Sequence, residues 1–290
     1  MSPAIPVALS AALFFALGNL FQKKGLDRGA SRSPKGFKAW CALLLRDPRW
    51  LGGIGCSCVG ALLQYAAMAN WNLSVVQPLV ALNPPVTALL CRAFLGERAP
   101  RGLWWALALA LAGVALMGIS GEEAAGAPRA AVWPAVGILC ALAAGLWAAG
   151  RRASPERAER LLSLSAGAGF GLSVLLFKLA WLDLSGAAAS GSLSDAAGAA
   201  ATSAALWLYV AVYGGAFLAS QTALAKGRGM LVVPLSAAVG NLVPVLGGIF
   251  LFGEPCGAFK CGAVALLCAS LLVFFAGGRA TAREEARSGG

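Results

Sequence analysis

The chain is 290 residues long, 59% hydrophobic and only 12% charged, with a formal net charge of +11 and no histidine. A soluble domain carries about 25% charged residues, so composition excludes that class and leaves a polytopic membrane protein. The missing histidine excludes imidazole acid–base catalysis and His-ligated metals.

Hydrophobic runs long enough for a bilayer, about 20 residues each, mark nine expected spans. They cover residues 4–22, 50–69, 73–95, 103–120, 131–149, 161–182, 203–224, 230–252 and 258–277. The first lacks the basic start and small-residue cleavage site of a signal peptide and reads as a span. After it comes a basic segment in which Phe37, Trp40, Cys41, Leu44 and Leu45 form one apolar stripe at helical spacing. It is too short to span and suits a helix lying in the interface. The eight cysteines fall mostly in apolar runs and read as small buried fillers rather than a metal site or disulfides.

Lys and Arg in the connections set the orientation. The segments 23–49, 96–102, 150–160, 225–229 and 278–290 hold nineteen of them, and the intervening connections hold only Arg129. The expectation is an N-terminus outside, a C-terminus in the cytoplasm, and a multi-pass protein of the plasma or inner membrane. The basic charge is then membrane topology, and no nucleic-acid partner is expected.

The third and eighth spans resemble each other. Val75–Glu97 and Val232–Glu254 both carry prolines and an asparagine inside and stop at Gly-Glu, and Gln64 aligns with Gln221 at the same offset. Under the charge-derived orientation the two copies run in opposite directions. The expected fold class is therefore an all-α polytopic membrane protein of about nine transmembrane helices built from an inverted repeat. The whole is one transmembrane domain: repeat one 4–120, a linking helix 131–149, repeat two 161–277 and a cytoplasmic tail 278–290. Inverted repeats are the architecture of alternating-access carriers, with the substrate near the midplane between the repeats.

Candidate pathway residues follow from depth and repeat equivalence. Gln77, Pro84, Thr87 and Cys91 share a face of the third span, and their counterparts in the eighth are Pro234, Asn241, Pro244 and Gly248. Proline frees upstream carbonyls, which a membrane tolerates only where protein or cavity water meets them. These kinks either line a pathway or serve packing. Gln64 and Gln221 either contact substrate or hydrogen-bond between helices. Tyr209, Tyr213 and Ser220 share a face of the seventh span, as cavity lining or as interfacial anchors. Lys178 either snorkels to the headgroups or faces the cavity. Glu97 and Glu254 read as loop charges at helix ends, and the glycines of 167–171 as close-packing positions.

Several motifs resemble the drug/metabolite transporter (EamA-like) superfamily, and most closely its NIPA-type magnesium transporters. They are Gln22-Lys23-Lys24-Gly25-Leu26, Pro78-Leu79, Gly96-Glu97, Lys178, Gln221 with Ala225-Lys226, Val233-Pro234 and Gly253-Glu254. The resemblance implies that superfamily's transporter fold and magnesium transport. The chain departs from the pattern at Gly60-Ala61, where that family carries an acid. Every Asp and Glu falls at a span end or in a loop, and the only charge well inside a span is Lys178. The expected function is a carrier of a small neutral or anionic solute. Magnesium transport is the alternative, and a non-transporting membrane scaffold a further one. No enzyme activity, cofactor or bound metal is expected. Partners are the bilayer and a small-molecule or ion substrate, and a homodimer is left open.

Overall fold

The computed structural model describes residues 4–30, 37–70, 76, 79–100, 102–119, 131–188 and 193–288. Among them there are helices and no strands. The helices are α1 (Ala4–Ala30), α2 (Phe37–Leu44), α3 (Pro48–Asn70), α4 (Asn83–Leu95), α5 (Leu103–Ile119) and α6 (Val132–Arg152). They continue as α7 (Pro155–Ala188), α8 (Leu193–Thr202), α9 (Ala204–Lys226), α10 (Gly229–Leu251) and α11 (Ala258–Ser288). Every expected span but the third coincides with a helix, and among the described residues six helices are long and apolar enough to cross a membrane: α1, α6, α7, α9, α10 and α11. The looser point is the number nine, because α5 has 17 residues and α4 only 13.

One expectation changes. The third span is not one helix over 73–95: Ala81 and Leu82 form a turn, and α4 starts at Asn83. Its first positions hold Pro84 and Pro85, a favoured place for a residue without an N–H. The last helix carries the expected span, Ala258–Ala276, and continues beyond it to Ser288. The basic segment does form a short helix, α2, with Leu44 buried against Leu26 and Trp50. Its neighbour Leu45 is 61% exposed, so the apolar stripe is only partly covered.

Packing repeats between the halves. In the first, α1 packs along α3 and touches α4; in the second, α7 packs along α9 and α10. Between the halves, α4 meets α10 and α5 meets α11. The glycines of α7 act by close approach. A Cβ at Gly167 or Gly171 would stand 2.6 Å from Ser236 O or Val243 Cβ of α10, and one at Gly169 2.8 Å from Ala216 Cβ of α9. Successive glycines two apart thus seat two different neighbours on one helix.

The buried core divides unevenly along the bundle. Toward the end that carries Gln22 and Glu97, two clusters mix the halves. One joins Leu20, Ala88 and Leu107 to Met230 and Leu235, and the other joins Leu26 and Trp50 to Leu224 and Val232. The clusters toward Glu254 keep apart. Ala8, Ala67 and Val76 belong to the first half, whereas Leu172, Leu176, Ala205 and Phe252 pack with the linking helix in the second.

Candidate functional site

The break before α4 has a chemical consequence. In a continuous helix the carbonyls of Val80 and Ala81 accept from residues 84 and 85, but both of these are prolines. Two backbone acceptors are therefore left without their helical donors. Both residues line a cavity of about 220 Å³, together with Gln64 of α3, Asn83, Pro84 and Pro85 of α4, and Pro234 and Asn241 of α10. Leu107, Ala110, Leu111 and Val114 of α5 form an apolar wall. Among the described residues no charged one lines the cavity, and its polar surface there consists of amide side chains and backbone.

A second polar cluster supports one wall. Asn19 of α1 donates through Nδ2 to Asn83 Oδ1 and Thr87 Oγ1, at 3.3 Å each. The Thr87 hydroxyl donates to Asn83 Oδ1 at 3.0 Å. Thr87 is fully buried, so it fixes Asn83 from behind. Asn83, the asparagine inside the third span, was not among the pathway candidates, although it stands just before Pro-Pro. For Asn19 the sequence carries no signal.

The structure brings Gln64, Pro84, Pro234 and Asn241 into one cavity, with Thr87 one step behind. Gln77 lies outside the described residues. Gln221 goes elsewhere: buried to 2% exposure, it accepts from Trp50 Nε1 at 2.9 Å and donates to Gln22 Oε1 at 2.6 Å. Gln22 in turn donates to Ser57 Oγ at 3.1 Å. Of the two readings open for Gln221, the interhelical hydrogen bond is the one its surroundings match. Pro244 packs toward Gly171 of α7, and the carbonyl of Gly240 points the same way. Tyr213 is half exposed, with its ring edge-on to Phe170 at 5.5 Å and beside Tyr209 at 5.9 Å. The tyrosines thus form an aromatic face of α7 and α9 outside the 220 Å³ cavity.

Lys178 also lies outside that cavity. Its ammonium donates to Glu254 Oε1 at 2.6 Å and stands 4.3 Å from the Phe252 ring centre, while Lys260 reaches Glu254 Oε2 at 3.5 Å. Glu254 is held there by a left-handed glycine: Gly253 has φ of 65°, and Glu254 N–H donates to Gly248 O. The repeat-equivalent position closes in the same way. Gly96 has φ of 68°, and Glu97 N–H donates to Cys91 O.

The carboxylate of Glu97 has a different duty from that of Glu254. Its oxygens accept from Gly229 N and Met230 N, both at 2.9 Å, which caps the N-terminus of α10. Nearby, Lys23 donates to Asp27 Oδ1 at 2.7 Å and to Leu224 O at 2.8 Å. Glu97 and Glu254 were read as loop charges at helix ends; at those ends each also holds its neighbours, Glu97 capping α10 and Glu254 bridging Lys178 and Lys260. The signal available in the sequence was the shared Gly-Glu at one repeat offset.

A further crevice of about 360 Å³ lies between α6, α7 and α9, walled by Cys140, Trp147, Gly169, Leu172, Gly215 and Ala219. It is almost wholly apolar. The cysteines, expected as buried fillers, divide: Cys91 is buried, Cys56 and Cys140 are half-buried, and Cys58, Cys256, Cys261 and Cys268 are exposed.

Residues 36–119 match the EamA-like transporter family, a stretch that contains α2 to α5 and the cavity's broken helix. The matched stretch is 84 residues long, less than a third of the 290-residue chain. An uncharacterised protein of Corynebacterium glutamicum is 29% identical over 184 residues, which cover 61% of this chain and 62% of that protein. The aligned stretch is therefore less than two thirds of the relative's length. No solved structure matches. Neither match singles out a magnesium-transporting branch.

Proposed function

We propose that the chain is a multi-pass carrier that moves a small, uncharged, hydrogen-bonding solute by alternating access between two inverted repeats. The observation that carries this reading is the cavity at the broken helix. Its freed carbonyls offer acceptors, and Gln64, Asn83 and Asn241 offer both donors and acceptors. A cavity of about 220 Å³ takes a small solute. An anionic solute is the weaker variant, because Lys178 is engaged with Glu254 rather than placed at the cavity.

The distribution of bonds supports an alternating mechanism. At the Glu97 end the halves are tied by Gln221 to Gln22, by Lys23 to Leu224 O and by Glu97 to the start of α10. At the other end, Lys178, Glu254 and Lys260 all belong to the second half, and the apolar clusters stay separate. Taken with the charge-derived orientation, this is a state closed toward the cytoplasm, in which solute enters from outside.

Magnesium is served less well by this lining. It prefers hard oxygen ligands, usually including a carboxylate, and dehydrates reluctantly. Ala61, where the resembled family has its acid, stands one helical turn from Gln64 on α3. Flux into proteoliposomes decides between the readings, with neutral polar solutes, organic anions and magnesium offered in turn. Saturable uptake of a neutral solute, lowered at least about tenfold by Gln64→Leu, is expected. Robust magnesium uptake by the unaltered protein restores the cation reading, and its absence until Ala61→Glu is made supports the neutral one. No flux of any class points to the scaffold.

A further inference from the structure

The connection between α10 and α11 carries two cysteines five residues apart, outside anything the solute pathway uses. Cys256 lies in the turn and Cys261 in the first turn of α11, and both are exposed. Their sulfurs are 2.6 Å apart, closer than two unbonded sulfurs rest, and Cys261 Sγ also lies 3.6 Å from Cys256 O. The turn is held at both sides: Glu254 N–H donates to Gly248 O before it, and Cys261 N–H donates to Gly257 O after it. The backbone therefore already presents the two side chains to each other.

We propose that Cys256 and Cys261 form a disulfide that staples this turn. The inference rests on the charge-derived orientation, which puts the turn outside the cytoplasm, where disulfides persist. It does not rest on transport. The oxidant is a disulfide of the extracytoplasmic compartment, either a small molecule or an oxidoreductase. One cysteine thiolate attacks a sulfur of that disulfide and expels one of its thiols, giving a mixed disulfide. The second cysteine thiolate attacks the protein sulfur of the mixed disulfide and expels the other thiol. Two protein S–H bonds are lost and one S–S bond forms. The oxidant gains the two electrons and leaves as two thiols, which take up the two protons.

The staple acts on the charge cluster beside it. Glu254 stands two residues before Cys256, and Lys260 one residue before Cys261, and their side chains meet at 3.5 Å. Closing the turn keeps that carboxylate between Lys260 and Lys178.

Protein purified from membranes with N-ethylmaleimide present, so that free thiols are trapped, and digested without reduction tests the assignment. The expected peptide links Cys256 to Cys261, carries no adduct on either and is two hydrogens lighter than the dithiol. After reduction both take the adduct, and in Cys256→Ser the remaining Cys261 takes it without reduction. Adducts on both sulfurs of the freshly trapped protein overturn the proposal. In a second measurement, reductant is expected to lower the melting temperature of the native protein and not that of the Cys256→Ser, Cys261→Ser variant. A native protein that melts identically in both states overturns the stapling role.

Discussion

The two copies of the repeated helix end alike and begin differently. Both close on a left-handed glycine, Gly96 or Gly253, followed by a glutamate whose N–H returns to the carbonyl six residues before it. Upstream, the first copy is broken at Ala81 and Leu82, whereas α10 runs without interruption from Gly229 to Leu251 with Pro234 and Pro244 inside it. The first copy contains three prolines, Pro78, Pro84 and Pro85, and the second two, but spacing matters more than number. Pro84 and Pro85 remove two successive donors, which no local adjustment of one turn replaces, while prolines ten residues apart each remove one. The two similar stretches thus share their closure and differ at a single dipeptide, and the cavity forms beside the broken one.

The most severe way to break this contrast is to give the first copy its donors back. Pro84→Ala with Pro85→Ala lets helix continue through residues 79–95 and occupies the carbonyls of Val80 and Ala81. Solute flux in proteoliposomes is expected to fall to background while the protein stays folded by circular dichroism.

The glutamines at one repeat offset sharpen it next. Gln221→Leu strands the Trp50 indole N–H and the Gln22 carbonyl in a buried site, which costs about 1–3 kcal/mol for each unpaired group. Thermal melting in detergent is expected to drop clearly for this variant. Gln64→Leu is expected to melt like the native protein and lose flux instead.

The glutamates differ by less. Glu97→Gln keeps the shape but removes the charge from the α10 N-terminus, a loss of about 1–2 kcal/mol in unfolding stability. Glu254→Gln weakens bridges to Lys178 and Lys260, and the Lys178 side chain is 31% exposed, so less than about 1 kcal/mol is expected. Equal losses for the two glutamates contradict the assignment of different duties to them.

What the sequence revealed follows from the range of the forces involved. The apolar helices, though not their exact number, were legible because bilayer thickness imposes their length residue by residue. The Gly-Glu closures were visible as a repeat, since a left-handed turn demands glycine locally. The break at Pro84-Pro85 was legible in principle, as two neighbouring residues without donors, but treating each proline as a kink missed it. The duty of Gln221 was not legible at all. Its partners Trp50 and Gln22 lie 171 and 199 residues away, and only packing of α1, α3 and α9 brings them within reach. Asn19, behind the cavity wall, was hidden for the same reason.

The ties between the halves have a consequence for how the molecule answers ionic strength. At physiological salt, charges more than about 8 Å apart in water are screened from each other, whereas buried contacts are hardly affected. The bond from Gln221 to Gln22 is buried and uncharged, and that from Lys23 to Leu224 O is buried on a neutral acceptor. Raising salt therefore leaves these two bonds in place, while the partly exposed pair of Lys178 and Glu254 loosens at the opposite end. The two ends of the bundle thus answer a change of medium differently.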